Sequence, residues 1–250
     1  MKKLLQLSFN NGQIASATQV QQLTELPQAL KEMGLNVARP TLVVVGGASK
    51  MCEAEFLQIQ RLFIEVLAPL AENLDAYVVD GGSDAGVMRL MGEARTKIGA
   101  KFALIGVAPL SKVTLPNSLE PPADSTPLQP NHSHFFLVPG SNWGDESPWL
   151  AQLATELANG APSVTILING GEITFQDALQ NVNAKRLVIV VAGSGRTADI
   201  LAGALHGEET DRRATELAKS GILHYINLFD SEVGFESLAE IIKSVLSTPK

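Results

Sequence analysis

Four times along this chain an apolar, largely β-branched run ends in glycines and gives way to a helical pattern. The runs are TLVVVGGASK (Thr41–Lys50), AYVVDGGSDAGVM (Ala76–Met88), SVTILINGGEITF (Ser163–Phe175) and RLVIVVAGSGRTADIL (Arg186–Leu201). Apolar residues in unbroken sequence, rather than in alternation, mark strands covered on both faces, as in a parallel sheet. FALIGVAP (Phe102–Pro109), HFFLV (His134–Val138) and ILHYINLF (Ile222–Phe229) read as further strands. Helical spacing covers Glu53–Leu74, Val87–Ile98, Trp149–Ala158, Phe175–Gln180, Thr197–Leu205 and Phe235–Leu246.

Strands alternating with helices predict an α/β, Rossmann-like three-layer sandwich with a mainly parallel central sheet. At 250 residues and 45% hydrophobic content, one domain spanning 1–250 can bury a core of that kind. The first forty residues, with a short strand at Leu4–Phe9, a polar stretch and a helix near Leu26–Met33, read as an edge elaboration. The Pro-rich excursion Pro109–Pro130 fits neither a central strand nor a helix interior. A loop of that length is expected to be a partly ordered flap beside the site.

A net charge of -7 argues against nucleic acid or an acidic membrane as partner. A single cysteine excludes an internal disulfide and a thiolate metal cluster, and fits a reducing cytoplasm. The N-terminal residues lack the pattern of a signal peptide, and no apolar run reaches membrane-spanning length. Cys52 reads as a partly buried, inert thiol at a helix start.

In a parallel α/β sheet, ligands bind beyond the carboxyl ends of the strands, where these glycine turns fall. Glycine admits a phosphate close to the backbone, and the next helix supplies N–H groups and a positive dipole end. The candidate contacts are Gly46, Gly47 and Ser49; Gly81, Gly82, Ser83 and Gly86; Gly170, Gly171 and Thr174; and Ser194, Gly195 and Arg196. Ser49 and Ser194 add hydroxyls, and Arg196 can grip phosphate oxygens in a fork. The bland alternative for Arg196 is a salt bridge to Asp199 or another carboxylate.

Gly193–Ala198 satisfies G-x-G-x-x-A, but only one strand follows, and the acidic residue expected on it, Asp230, comes late. A plain NAD-dependent dehydrogenase is therefore disfavoured. His132 and His134 share one side of an extended segment, where they are expected to order the loop or meet a polar ligand rather than hold a metal. Trp143 either stacks a base or packs its loop. No G-x-S-x-G elbow appears.

VVVGGASK, VVDGGSDAGVMRLMGEA, LIGVAP, PNHSHFFLV, INGGEITFQDAL and AGSGRTADILAGAL together resemble the SLOG superfamily. The resemblance is strongest to prokaryotic relatives of the cytosolic N-terminal region of melastatin-type TRP channels. It implies a domain that recognises ADP-ribose or related nucleotides, with Gly81, Gly82, Ser83, Gly195 and Arg196 at the ligand. It further implies a cytoplasmic protein that needs no cofactor or metal and forms homo-oligomers, the helix Phe56–Leu67 offering a face. The LOG phosphoribohydrolases are more distant cousins. Their P-G-G-x-G-T-x-x-E signature resembles Asn169–Asp177, with Asn169 for proline, Ile173 for the third glycine and Asp177 for the catalytic glutamate. Their M-H-x-R-K segment has no counterpart. The resemblance thus implies a binding module first, and a nucleotide N-glycosidase using Asp177 as the alternative.

Overall fold

The computed structural model describes residues 4–47, 50, 52–227 and 233–247. In chain order they form β1 (Leu5–Ser8), β2 (Ile14–Gln19), α1 (Leu26–Glu32), β3 (Thr41–Gly46), α2 (Glu53–Leu62), α3 (Ala68–Asn73), β4 (Tyr77–Asp80) and α4 (Gly86–Lys97). Next come β5 (Leu104–Pro109), β6 (Val113–Thr114), β7 (Thr126–Pro127), β8 (His134–Val138) and α5 (Ser147–Ala158). The chain continues through β9 (Ser163–Ile168), α6 (Glu172–Asn183), β10 (Leu187–Ala192), α7 (Arg196–Leu205), α8 (Arg212–Ala218), β11 (Leu223–Asn227) and α9 (Val233–Ser247).

Nine strands make one sheet in the order β1-β2-β8-β5-β4-β3-β9-β10-β11. Every neighbouring pair is parallel except β1 with β2, a hairpin that closes one edge. The strand order runs outward from β3 in one direction and, after α5, from β9 in the other. The topological switch point therefore lies between β3 and β9, paired from Thr41↔Ser163 to Gly46↔Ile168.

The unbroken apolar runs divide by alternation between two faces. Val43, Val45, Leu167, Val188 and Val190 point into a core with residues of α1, α5, α6, α7 and α8. Leu42, Val44, Val164, Ile166 and Ile189 point the other way, into a core with α2, α3, α4 and α9. That is the three-layer sandwich expected. A smaller cluster joins Leu7, Ala15, Ala17, Phe135 and Leu137 to Val113 and Leu128 of the excursion.

Two departures from the sequence reading have local causes. The expected helix Glu53–Leu74 is interrupted by a π-helical stretch at Phe63–Leu67. Pro69 lacks an N–H for an i−4 bond, and the Ala68 N–H bonds Phe63 O, a wider register. The polar stretch Ile14–Gln19 is a strand because it buries two alanines, which carry little hydrophobic signal. Helix α6 starts at Glu172 and ends at Asn183, beyond the Phe175–Gln180 expected on both sides. On α2, Ile59 is buried in the fold's own core, while Phe56 and Leu57 face outward. Among the described residues, no helix is long and apolar enough to cross a membrane.

Candidate functional site

The carboxyl ends of β3, β4, β9 and β10 converge above the switch point, and a cavity of about 460 Å³ opens there. Small-molecule pockets commonly have this size and place. Its walls carry Gly46 and Gly47, Gly81 and Ser83, Gly171 and Thr174, Asp177 and Arg196. Those are eight of the expected site residues. Val44, Val45, Met88 and Leu150 add apolar surface, and Thr126 brings the excursion to the rim.

One of these positions tolerates nothing but glycine, and a second sits directly under a cation. Gly46 has φ +124° and lies so close to β9 that a Cβ there would stand 1.9 Å from Ile168 O. Gly171 lies under the guanidinium of Arg196, whose Nη2 would be 2.9 Å from a Cβ. Arg196 is itself left-handed, with φ +57°, a conformation that costs a non-glycine residue about 1–2 kcal/mol. Strain of this kind collects where a side chain is held for a purpose. The result is a cation poised above the first turn of α6.

The turn after β9 is fastened to the turn after β10. Asn169 is fully buried with φ +53°; its N–H donates to Ser194 Oγ at 2.7 Å, and its Nδ2 donates to Ser194 O at 2.7 Å. Proline could adopt neither that φ nor that N–H bond, so asparagine at this place has a structural reason. Thr197 Oγ1 completes the connection by donating to Gly171 O at 2.9 Å. The carboxylate of Asp199 accepts the Gly193 N–H at 2.7 Å.

Several expected ligand groups have other employment. Ser194, expected to offer its hydroxyl to phosphate, is buried and donates to Val191 O at 2.6 Å while accepting from Asn169. His132 and His134 do not line the cavity. His132 is buried beneath the GGSD turn, with Nε2 2.8 Å from Asp80 Oδ1 and Nδ1 3.0 Å from Gln129 Oε1. Gln129 Oε1 also accepts the Asn131 N–H at 2.8 Å. Asp80 Oδ1 accepts the Gly82 N–H at 2.7 Å as well, so this buried pair shapes the turn that presents Gly81 and Ser83. His134 lies 2.8 Å from the Ser133 hydroxyl; burial, with Arg95 nearby, pushes it down to about 4. Gly82, Gly86, Gly170 and Gly195 form the turns without lining the cavity. Ser49 lies outside the described residues, as do Asp230 and the end of the ILHYINLF run. Cys52, expected to be partly buried, is exposed at the start of α2.

The excursion after β5 reaches the site at its C-terminal end. Leu128 bridges Ser83, the Asp84 N–H donates to Pro127 O at 2.7 Å, and the Gln129 N–H to Gly82 O at 2.9 Å. The flap is thus fixed to the same turn that the Asp80–His132 pair supports.

One member of the site, a carboxyl, was not among the expected contacts. Glu146, just before α5, lines the cavity with its side chain buried; its Oε2 accepts the Gly144 N–H at 2.7 Å. Burial pushes its carboxyl up to about 7, with Asp177 and Asp145 adding to the effect. The next residue, Ser147, donates its hydroxyl to Asp177 Oδ1 at 2.6 Å, and burial pushes Asp177 up to about 6. The clue in the sequence was the polar SNWGDESPW segment, whose direction only the fold fixes. Trp143, from the same loop, also lines the cavity. Among the described residues, no three His, Cys, Asp or Glu side chains converge as a metal site.

A doubly wound α/β sheet with a glycine-rimmed cavity at its switch point defines the class as Rossmann-like. The chain belongs to the family described as SLOG in TRPM, prokaryote, whose model matches residues 39–235. It is 26% identical over 242 residues to transient receptor potential cation channel subfamily M member 2 of Mus musculus, covering 83% of this chain and 16% of the channel. It is 25% identical over 202 residues to member 6 of Homo sapiens, covering 69% of this chain and 10% of that channel. The chain thus spans a small fraction of the length of these relatives. Among solved structures, the X-ray structure of TM1055, a structural genomics target, shares the fold. Its TM-score is 0.52 at 20% identity, over 82% of this chain and 99% of the other.

Proposed function

We propose that this chain is a cytoplasmic binding module for a nucleotide-derived ligand such as ADP-ribose, held in the cavity at the β3–β9 switch point. The observation that carries this reading is Arg196, held left-handed over Gly171 at the first turn of α6 and facing the same cavity as the Gly46 and Gly81 turns. Phosphate oxygens would meet the guanidinium fork on one side and helix N–H groups on the other. The likeness to transient receptor potential cation channels of subfamily M, of which this chain matches only a part, supports reading it as a sensing module.

Titration calorimetry with ADP-ribose and nucleoside phosphates tests the reading. Arg196→Ala should weaken binding by about 2–3 kcal/mol, near a hundredfold, with the fold intact. Arg196→Lys should recover part, because a point charge cannot form the fork. Unchanged affinity in Arg196→Ala would overturn it.

Asp177 favours a second reading, a nucleotide N-glycosidase. Its carboxyl opens on the cavity, oriented by Ser147, at the place where the related hydrolase signature has its glutamate. A carboxylate there would steady positive charge on a ribose as its bond to the base breaks. Chromatography for released base decides between the two: release that disappears in Asp177→Ala supports the enzyme, and binding without release supports the module.

A further inference from the structure

The cavity makes opposite electrostatic demands at its two ends. At one end Arg196 stands over Gly171. At the other lie two carboxyl side chains, Glu146 and Asp177, in residues only 7% and 8% exposed. Both ends lie against α6, Asp177 on the flank it shares with Ile173. Asp177 is six residues beyond Gly171, roughly 9 Å along the helix axis, which is the scale of a mononucleotide. The loop carrying Trp143 and Glu146 packs against this flank, since a Cβ at Gly144 would meet Gln176 Oε1 at 2.8 Å and Ile173 at 3.6 Å.

Neither carboxyl is balanced by a basic side chain among the described contacts. Glu146 Oε2 takes a backbone N–H and Asp177 Oδ1 takes a hydroxyl. The other charged groups nearby are committed or distant. Asp145 is held by the N–H groups of Ser141 and Asn142, Glu172 is paired with Arg213, and Arg196 stands at the far end. Two buried carboxyls without a counter-ion ask for a cation. Trp143 in the same wall suits a flat one, because an indole face attracts a positive ring.

We propose that the ligand is a nucleotide whose base is a cationic heteroaromatic ring, its phosphate at Arg196 and its ring charge against Glu146 and Asp177 beside Trp143. This rests on the nucleotide reading above and specifies its base. A pyridinium mononucleotide is the simplest member of the class. Its reduced, dihydropyridine form has nearly the same shape without the ring charge, so the pair isolates the term in question.

Calorimetric titration of the intact protein with nicotinamide mononucleotide and its reduced form, at pH 8, tests the proposal. The oxidised form should bind about tenfold tighter or more, as expected for a charge pair in a partly buried site. In Glu146→Gln, and independently in Asp177→Asn, the preference should shrink toward parity through weaker binding of the oxidised form alone. Lowering the pH to 6 should also shrink it, because Glu146 and Asp177, raised to about 7 and about 6, take up protons. Equal binding of both forms, lost in Arg196→Ala, would overturn the cationic base and leave the nucleotide reading standing. Tighter binding of the reduced form would do the same. Binding of neither form, nor of ADP-ribose, would overturn both.

Discussion

Ser194 Oγ holds two turns at once: it accepts the backbone N–H of Asn169 at 2.7 Å and donates to Val191 O at 2.6 Å. The turn after β9 therefore cannot move without the turn after β10. Ser194→Ala leaves a buried Asn169 N–H without its acceptor, which costs about 1–3 kcal/mol. Urea denaturation should show a lower midpoint with an unchanged slope. An unchanged midpoint would mean that the two turns are held by other contacts.

Asp80 and His132 are both fully buried and bonded at 2.8 Å. Replacing His132 by leucine keeps the volume roughly but leaves Asp80 with only the Gly82 N–H on Oδ1, its Oδ2 already lacking a partner among the described residues. The expected loss is about 3–5 kcal/mol. Because Gln129 also loses a bond, limited proteolysis in the exposed part of the excursion, residues 117–124, should speed up in this variant. Parent-like stability together with a parent-like cleavage rate would contradict a supporting role for the pair.

Gly46→Ala tests how close β3 and β9 stand. The added Cβ would overlap Ile168 O at 1.9 Å on a backbone with φ +124°. Strain and overpacking together should cost at least about 3 kcal/mol. Chemical denaturation of the purified variant measures it, and a loss below about 1 kcal/mol would show that the strands part easily at that point.

Stability should depend on pH through the buried carboxyls. The folded chain keeps the Asp177 proton up to about 6, whereas the unfolded chain releases it near the ordinary 3.8. Between those values the folded state binds more protons, so stability falls as pH rises from about 4 and levels off above about 8, where Glu146 has also ionised. Asp177 alone accounts for about 3 kcal/mol of that fall. Asp177→Asn should remove its share, making the variant more stable than the parent at pH 8 and little different at pH 4. Thermal melts across that range check the sign; a variant less stable at pH 8 would refute it.

Much of this was legible in residue pattern. Val43 to Val45 and Val188 to Val191 announce buried strands because a parallel strand shows apolar residues to both faces. The glycines at 46, 81 and 171 announce the cavity because a parallel sheet brings the carboxyl ends of its strands together. Other parts depend on contacts that pattern does not carry. Ile14–Gln19 buries Ala15 and Ala17 against β8, and Arg212–Ala218 makes a short helix with only Ala214 and Leu217 buried. For His132 the choice between ordering the loop and meeting a ligand stayed open, because its partner Asp80 is 52 residues away. Of the adjacent acids, Asp145 faces solvent and Glu146 faces Asp177. Sequence spacing cannot tell which neighbour turns inward.

The strand order places every main-sheet strand up to β8 on one side of the β3–β9 junction and β9, β10 and β11 on the other. The polypeptide is thus two consecutive halves meeting along a single seam, with the cavity directly over it. Gly46, Gly81, Trp143 and Glu146 belong to the first half; Gly171, Asp177 and Arg196 belong to the second. Anything that fills the cavity adheres to both halves and adds its binding free energy to their cohesion. Occupancy would then register mechanically, as resistance of the seam to being pulled or cut apart. Cut in the exposed turn at Asn159–Gly160, the two pieces should find each other more readily when the ligand is present than when it is absent.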